Sequence, residues 1–499
     1  MRKPLLYAVF VACLFPAIAW SQSATAETTK APVPDPQVFR STHTGVFNGK
    51  TLDYEVVAGE TRLLNDAGKP TGNMWSTAYL VKPKDPRQPR PVVFIFNGGP
   101  GSASVWLHMG LFGPKLVKVA SDADADDGAA PYSIADNPDC LLDIADLVFI
   151  DPIGTGYSQA VGEGKNEDFW GLEEDAHSIA RFMRLWVTQH QRWNAPKYIA
   201  GESFGTTRAA ALVKALEEDG QNMAINGLIL ISQALDYTGS TPVDDNIIAY
   251  ITYLPTMAAT AWYHKKAGQG KTLEAFMEEV RAFAYKTYTP ALFQGYYLDR
   301  TSFDEVANQL SVFLGLPASY IRQSNLRVLP SRFRKELLRD QGLTLGSLDS
   351  RYTTTEPDQV SDTPVLGDAA SNAITSAYTA ALYHYLGTDL KVAMDRPYLT
   401  SNSALYPKWK WMQGGEPSYV NVSRRLSHVM RRNTQLKVMV ANGYYDMVTP
   451  FFDAEFTFSR HGFEKDRIQM AYYEGGHMMY VHDADFRKLT ADIRSFLQP

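Results

Sequence analysis

Lys197-Tyr198-Ile199-Ala200-Gly201-Glu202-Ser203-Phe204-Gly205, running on through Thr206 to Asp219, is the stretch that decides the fold. Its opening residues make a short, largely apolar run that reads as a buried strand. Behind them Ala210, Leu212, Val213 and Leu216 recur at helical spacing. Between strand and helix a serine stands between two glycines. Glycine permits the sharp turn that lifts a serine hydroxyl clear of a sheet edge, so Gly201 to Gly205 reads as a nucleophile elbow rather than an ordinary Gly/Ser turn.

Serine is a poor nucleophile at neutral pH until an imidazole takes its proton, and a buried carboxylate must hold that imidazole in the correct tautomer. On a strand–serine–helix scaffold the acid and then the histidine follow the serine, each on a loop after a strand. Gln435 to Ala441 predicts a strand that runs into Asn442-Gly443-Tyr444-Tyr445-Asp446, and Ile468 to Glu474 predicts another that runs into Gly475-Gly476-His477. Asp446 and His477 are therefore the expected partners of Ser203. Of the ten histidines, His482 lies in a Val-His-Asp stretch that reads as a helix start, and His461 with Gly462 reads as a helix C-cap.

An acyl-transfer site also needs donors for the oxyanion. Pro91-Val92-Val93-Phe94-Ile95-Phe96 is a continuous apolar run suited to a central strand of a covered parallel sheet, and it leads into Asn97-Gly98-Gly99-Pro100-Gly101. Backbone N–H groups of such a loop, together with that of Phe204 after the nucleophile, can point at a tetrahedral oxyanion. No Gly-Lys-Ser/Thr follows, which argues against a phosphate-binding loop.

Asn97-Gly98-Gly99-Pro100-Gly101-Ser102-Ala103-Ser104, Asp151-Pro152-Ile153-Gly154-Thr155-Gly156-Tyr157-Ser158, Gly201-Glu202-Ser203-Phe204-Gly205, Asp446 and Gly475-Gly476-His477 together resemble the serine carboxypeptidase family in its bacterial branch. The resemblance spans essentially the whole mature chain. It implies Ser203 as nucleophile, Asp446 and His477 as its partners, and the N–H groups of Gly99 and Phe204 as oxyanion hole. It further implies a substrate-binding set in which Asn97 and Glu202, with Gly98 beside them, hold the free C-terminal carboxylate of a peptide. A carboxyl group can hydrogen-bond a carboxylate only if one of the two keeps a proton, so Glu202 would need a raised pKa.

The chain departs from that pattern in two places. Many members carry an acidic residue two positions before a Gly-Pro or Gly-Ala pair, which shares a proton with the elbow glutamate; here the stretch is Leu111-Phe112-Gly113-Pro114. Only a mildly acidic pH optimum is therefore expected. Many also have cysteine after the Gly-Pro-Gly and tyrosine after the nucleophile, where this chain has Ser102 and Phe204. The corresponding disulfide is absent, while a backbone donor at 204 survives.

Met1 to Ala26 has basic Arg2 and Lys3, an apolar stretch from Leu5 to Trp20, and small-x-small sites at Ala17-Ile18-Ala19 and Ala24-Thr25-Ala26. These features read as a secretory signal, too short and early for a membrane anchor, and predict an exported, periplasmic or secreted protein. Removing Arg2 and Lys3 takes the formal charge from −6 to −8, and a mildly acidic chain excludes nucleic acid as the main partner. Loss of Cys13 with the signal would leave Cys140 alone, so no intrachain disulfide is expected.

The fold class that follows is α/β, an α/β-hydrolase arrangement with a mostly parallel central sheet flanked by helices and an inserted helical cap. Residues 1–26 are assigned to the signal and 27–45 to a flexible lead-in. The hydrolase core occupies 46–236 and 376–499, and the cap 237–375. Within the core, Val46 to Leu80 suggests antiparallel strands turning at Asn48-Gly49 and Asp66-Ala67-Gly68. Within the cap, Thr272 to Tyr285 and Arg332 to Arg339 are the clearest helices. Asp122, Asp124, Asp126 and Asp127 form an acidic stretch without the spacing of a calcium loop, and Arg424, Arg425, Arg431 and Arg432 surround Leu426 and Val429 in a predicted helix. No H-E-x-x-H or cysteine pair points to a metal. Trp170, Tyr157, Trp262 and Tyr263 could line the pocket or fill the core.

These readings converge on a serine carboxypeptidase-like enzyme that acts on peptide or protein C-termini without a cofactor. An esterase or acyltransferase on the same fold is the alternative, and a catalytically silent binding protein the reading from another class.

Overall fold

The computed structural model describes residues 33–82, 89–121, 123, 128–218, 220–411 and 418–498, and the chain from Asp35 on forms one unit. The signal region and the acidic stretch from Asp122 to Asp127 lie outside the described residues, Ala123 excepted.

Among the described residues the central sheet has ten strands. Val38–Phe47, Lys50–Leu64, Pro70–Leu80 and Asp146–Asp151 pair antiparallel in that order, and the short Gln159–Ala160 joins Pro70–Leu80. From Asp146–Asp151 onward the sheet is parallel, through Val92–Phe96, Lys197–Glu202, Gly227–Ile231, Lys437–Gly443 and Ile468–Tyr473. The interior positions of the parallel strands are largely apolar because both faces of the sheet are covered. Val93, Ile95, Ile229, Ile231, Met439 and Ala441 face one hydrophobic cluster, while Val92, Phe94, Phe96, Leu228, Leu230, Val438 and Val440 alternate with them into a second. Helices Ala369–His384 and Asp483–Leu497 contribute to the first; Leu172–Gln189, Phe204–Glu218 and Ser423–Arg432 contribute to the second. This is the α/β-hydrolase architecture expected from the elbow.

Between Gly227–Ile231 and Lys437–Gly443 the chain becomes helical and builds a third cluster of its own. Ile247–Tyr263 is nearly all apolar and packs in it with Leu273–Phe283, Arg300–Leu314 and Pro330–Glu336. Tyr444, Tyr445, Met447, Phe451 and Phe452, which surround Asp446 in sequence, belong to the same cluster. The insertion is thus packed onto the loop that carries the expected triad acid.

Two expected boundaries move. The lead-in of 27–45 ends early, because Val38–Phe47 is a full strand paired with Lys50–Leu64 through the Asn48-Gly49 turn. The boundary between 375 and 376 cuts through the helix Ala369–His384, whose Ala370, Ala373, Ile374 and Ala377 pack on the sheet side rather than in the insertion's cluster. Arg424, Arg425, Arg431 and Arg432 do lie on one helix, and Leu426 and Val429 are its buried face.

Candidate active site

Ser203 sits at the C-terminal end of the strand Lys197–Glu202, immediately before the helix Phe204–Glu218, with φ of 59°. Left-handed backbone at a non-glycine residue costs energy and is held here by the surroundings. Its N–H donates to the Ile231 carbonyl at 3.0 Å, and its own carbonyl accepts from the N–H of Thr206 at 2.8 Å. The turn is tight enough that a Cβ on Gly201 would come within 2.4 Å of the Gly205 carbonyl oxygen. A Cβ on Gly98 would lie 2.6 Å from the Phe204 nitrogen, so the Asn97 loop can approach the elbow only as glycine at 98.

Asp446 and His477 come together as the sequence predicts. His477 Nδ1 and Asp446 Oδ2 are 2.7 Å apart, and both residues are buried. The other Asp446 oxygen accepts from the N–H groups of Val448 and Thr449 at 2.8 and 2.9 Å, while Thr449 Oγ1 donates to Oδ2 at 2.7 Å. The carboxylate is therefore saturated and cannot turn away from the ring. Ser232 Oγ donates to the His477 carbonyl at 2.7 Å, fixing the histidine backbone from the core side. Burial pushes the imidazole toward its neutral form, but the charge and hydrogen bond of Asp446, and then the charge of Glu202, outweigh it and hold the His477 pKa above the ordinary histidine value.

Ser203 and His477 line one cavity of about 200 Å³ with Asn97, Gly98, Gly99 and Glu202. Asn97 Nδ2 donates to Glu202 Oε1 at 3.0 Å, and Asn97 Oδ1 accepts from the Leu107 N–H at 3.1 Å. Burial drives the Glu202 carboxyl up to about 6, opposed by the positive charge of His477 and by hydrogen bonds from Tyr480 and Asn97. Phe204 contributes only backbone to this side of the elbow. Its ring packs edge-on against Trp409 and Trp411.

Further residues position the site, some without a local sequence signal and some, such as Asp151 and Ser104, within the stretches that carry the family resemblance. Arg208, one helical turn after the elbow, pairs with Asp175 at 2.5 Å as a buried ion pair and also donates to the Asn97 carbonyl. Asp151 Oδ1 accepts from Ser104 N–H and Oγ–H at 2.9 and 2.8 Å, which ties the Asn97–Ser104 loop to the sheet; burial pushes that carboxyl up to about 6. Trp106, Leu348, Ser371, Ile374, Thr375 and Met478 complete the cavity wall. Tyr157 and Trp170 lie instead in the two sheet clusters, and Trp262 and Tyr263 pack against the cluster of the insertion. Cys140 is a buried free thiol pushed up to about 12 by desolvation.

Part of the chain is similar to known proteins. Residues 76–291 match the model of a family described as serine carboxypeptidase. A serine carboxypeptidase-like protein of Arabidopsis thaliana (serine carboxypeptidase-like 51) is 25% identical over 162 residues, covering 31% of this chain and 32% of that one. A pheromone-processing carboxypeptidase (kex1) of Aspergillus terreus is 25% identical over 166 residues, covering 33% of this chain and 24% of the relative. The matched part is thus about a third and a quarter of the length of these relatives. In three dimensions a prohormone-processing carboxypeptidase of Saccharomyces cerevisiae superposes with a TM-score of 0.55 at 14% identity, over 89% of this chain and 91% of that one, a likeness of fold.

Proposed function

We propose, from the site's geometry and the match of residues 76–291 to the serine carboxypeptidase family, that this chain is a serine-type carboxypeptidase that releases the last residue of a peptide through an acyl-enzyme. Ser203 Oγ attacks the scissile carbonyl while His477 accepts its proton, and Asp446 stabilises the imidazolium that forms. Backbone N–H groups of Gly99 and Phe204 receive the oxyanion. His477 then returns the proton to the leaving amine, and water attacks the acyl-enzyme by the same route in reverse. The cycle uses only water besides the peptide, so no cofactor is needed.

The observation that carries this reading is the Asn97–Glu202 pair, buried beside Ser203 and His477 and hydrogen-bonded at 3.0 Å. An amide N–H and a carboxyl held up to about 6 make a neutral recognition pair that can donate to a substrate carboxylate in weakly acidic solution. Attack on a simple ester needs no such pair. The substrates are peptide or protein C-termini rather than nucleic acid, and the leader reading places the enzyme outside the cytoplasm, periplasmic or secreted. Among the described residues no helix is long and apolar enough to cross a membrane.

The test is kcat/KM on N-blocked dipeptides offered as free acid, C-terminal amide and simple ester. Strong preference for the free acid is expected. Equal rates on acid and amide would transfer the assignment to an esterase or acyltransferase, and failure of an organophosphonate to label Ser203 would leave a silent binding protein.

A further inference from the structure

Glu202 lacks an acidic neighbour at Leu111, but it is not left alone. Tyr480, 3% exposed, donates its hydroxyl to Glu202 Oε2 at 2.6 Å, while Asn97 donates to Oε1 at 3.0 Å. Each carboxyl oxygen thus receives one hydrogen bond from a neutral donor. The phenol reaches Glu202 from the 3-10 turn Met479–Val481, which begins two residues after His477. Space for it is made on the π-helical segment His108–Phe112, the stretch that includes Leu111. A Cβ on Gly110 would lie 2.5 Å from Tyr378 Oη and 2.7 Å from Tyr480 Cε2, so only glycine admits both rings.

We propose that Tyr480 is a positioning residue whose hydroxyl fixes the orientation and charge of Glu202, and so sets the upper pH limit at which the site recognises a free C-terminal carboxylate. The proposal rests on the carboxypeptidase reading given above. Its physical basis is the difference between a phenol and a carboxylic acid as partner. Two carboxyls that share one proton keep that proton on the pair, whereas a phenol retains its own proton and, by donating it, favours the ionised form of its acceptor. Tyr480 remains a donor throughout, because burial and then the charge of Glu202 push its own ionisation far above the ordinary tyrosine value.

The groups facing Glu202 act in both directions. Burial is the largest influence and favours the neutral acid; the His477 charge and the Tyr480 and Asn97 hydrogen bonds oppose it, and Asp446 adds to it. Tyr378 is the remaining ionisable group felt by Tyr480. Removing the phenolic donor therefore leaves Glu202 protonated to higher pH. The consequence is counter-intuitive for a loss of contact: recognition of the free acid should extend further into the alkaline range.

The test compares the parent enzyme with Tyr480→Phe, measuring kcat/KM against pH on matched free-acid and amide peptides. On the free acid the alkaline limb should move up by about one pH unit, the size of a hydrogen bond to a charged group. The profile on the amide should keep its shape. Should Tyr480→Phe fail to fold, 2,3-difluorotyrosine at position 480 keeps the shape but donates more strongly, and it should move the same limb down. Discrimination in the parent with an unmoved limb, or a limb moved the wrong way, overturns this proposal alone. Equal cleavage of acid and amide by the parent overturns the carboxypeptidase reading and this proposal together.

Discussion

The backbone N–H of His477 donates to the Leu348 carbonyl at 2.6 Å, so a residue of the helical insertion grips the expected catalytic histidine. The contact is part of a strap. Asp349 Oδ2 accepts from the Gly476 N–H at 3.0 Å, Ser350 donates through both N–H and Oγ–H to the Tyr445 carbonyl at 3.0 Å, and the Ser347 carbonyl accepts from Met447 at 2.9 Å. Residues 347–350 therefore bind the acid loop and the histidine loop to each other. The insertion shapes the cavity through Leu348 and also holds Asp446 and His477 in register.

Asp349 is the member of the strap whose removal is most informative, because it also pairs with the buried Arg351 at 2.7 Å. Asp349→Ala strands that guanidinium, and the expected loss is about 3–5 kcal/mol of stability. It also frees Gly476, so kcat should fall roughly ten- to a hundredfold while KM changes little. Adding Arg351→Met removes the stranded charge and should restore most of the melting temperature without restoring kcat. Recovery of both in the double variant would show that the strap acts on stability alone.

Ser203 and His477 act as a unit in the proposed cycle, so removing either should cost about as much as removing both. Ser203→Ala, His477→Ala and the double variant should each lose roughly 10⁴–10⁶ in kcat. Circular dichroism of the purified variants checks that the fold is retained, and steady-state hydrolysis measures the loss. Multiplicative losses in the double variant would contradict a shared role.

Glu202 and His477 face each other's charge, so the pH profile belongs to the pair. The productive form needs Glu202 protonated, which burial favours up to about 6, and His477 neutral, which Asp446 delays to above the ordinary histidine value. These two requirements oppose each other by a single proton. On free-acid peptides kcat/KM should be bell-shaped with its maximum between the two ionisations, and Glu202→Gln should abolish the alkaline limb and leave the acid one. Stability carries the same sign. A carboxyl raised from 4.5 to about 6 on folding stabilises the protein fully below 4.5 and loses that contribution as pH rises through about 6, a change of about 2 kcal/mol that the glutamine variant should lack. An unchanged alkaline limb in Glu202→Gln would remove Glu202 from substrate recognition.

Much of this was legible in sequence because the relevant signals are local. A strand, a glycine-flanked serine and a helix are contiguous, and each triad partner follows a largely apolar strand within a few residues. The lost strand Val38–Phe47 shows the limit: only one of its faces is covered, and Ser41, Thr42, His43 and Thr44 give it no apolar alternation. Tyr480, Asp349, Ile374 and Thr375 were invisible for a different reason. Tyr480 and Asp349 hydrogen-bond Glu202 and Gly476 across the fold, Ile374 and Thr375 share a cavity wall with Ser203, and nothing in their sequence neighbours marks these relationships. The missing acid at Leu111 was readable, but that Gly110 opens space for a phenol arriving from position 480 was not.

Cys140 tests whether the fold depends on its core alone. It is buried, hydrogen-bonded to the Phe112 carbonyl, and the free cysteine among the described residues. The melting temperature of the mature protein should not change on adding reductant. A substantial drop would mean that Cys140 is engaged in an intermolecular disulfide.

Side-chain preference follows from what the cavity wall contains. Trp106, Leu348, Ile374 and Met478 supply apolar surface, Ser102, Ser371 and Thr375 supply hydroxyls, and no lysine or arginine lines it among the described residues. A charged substrate side chain placed against this wall, away from Glu202 and His477, would be desolvated without a partner, which costs more than an apolar side chain gains. Blocked dipeptides that place leucine, phenylalanine or methionine against this wall should therefore be cleaved at least about tenfold faster than those with lysine or aspartate, in kcat/KM. Thr375→Asp adds a carboxylate to the wall beside Ile374 and should raise relative activity on lysine peptides while lowering it on leucine peptides. If the parent cleaves lysine and leucine peptides equally, the substrate side chain does not enter this cavity; if Thr375→Asp leaves the ratio untouched, it enters without meeting position 375.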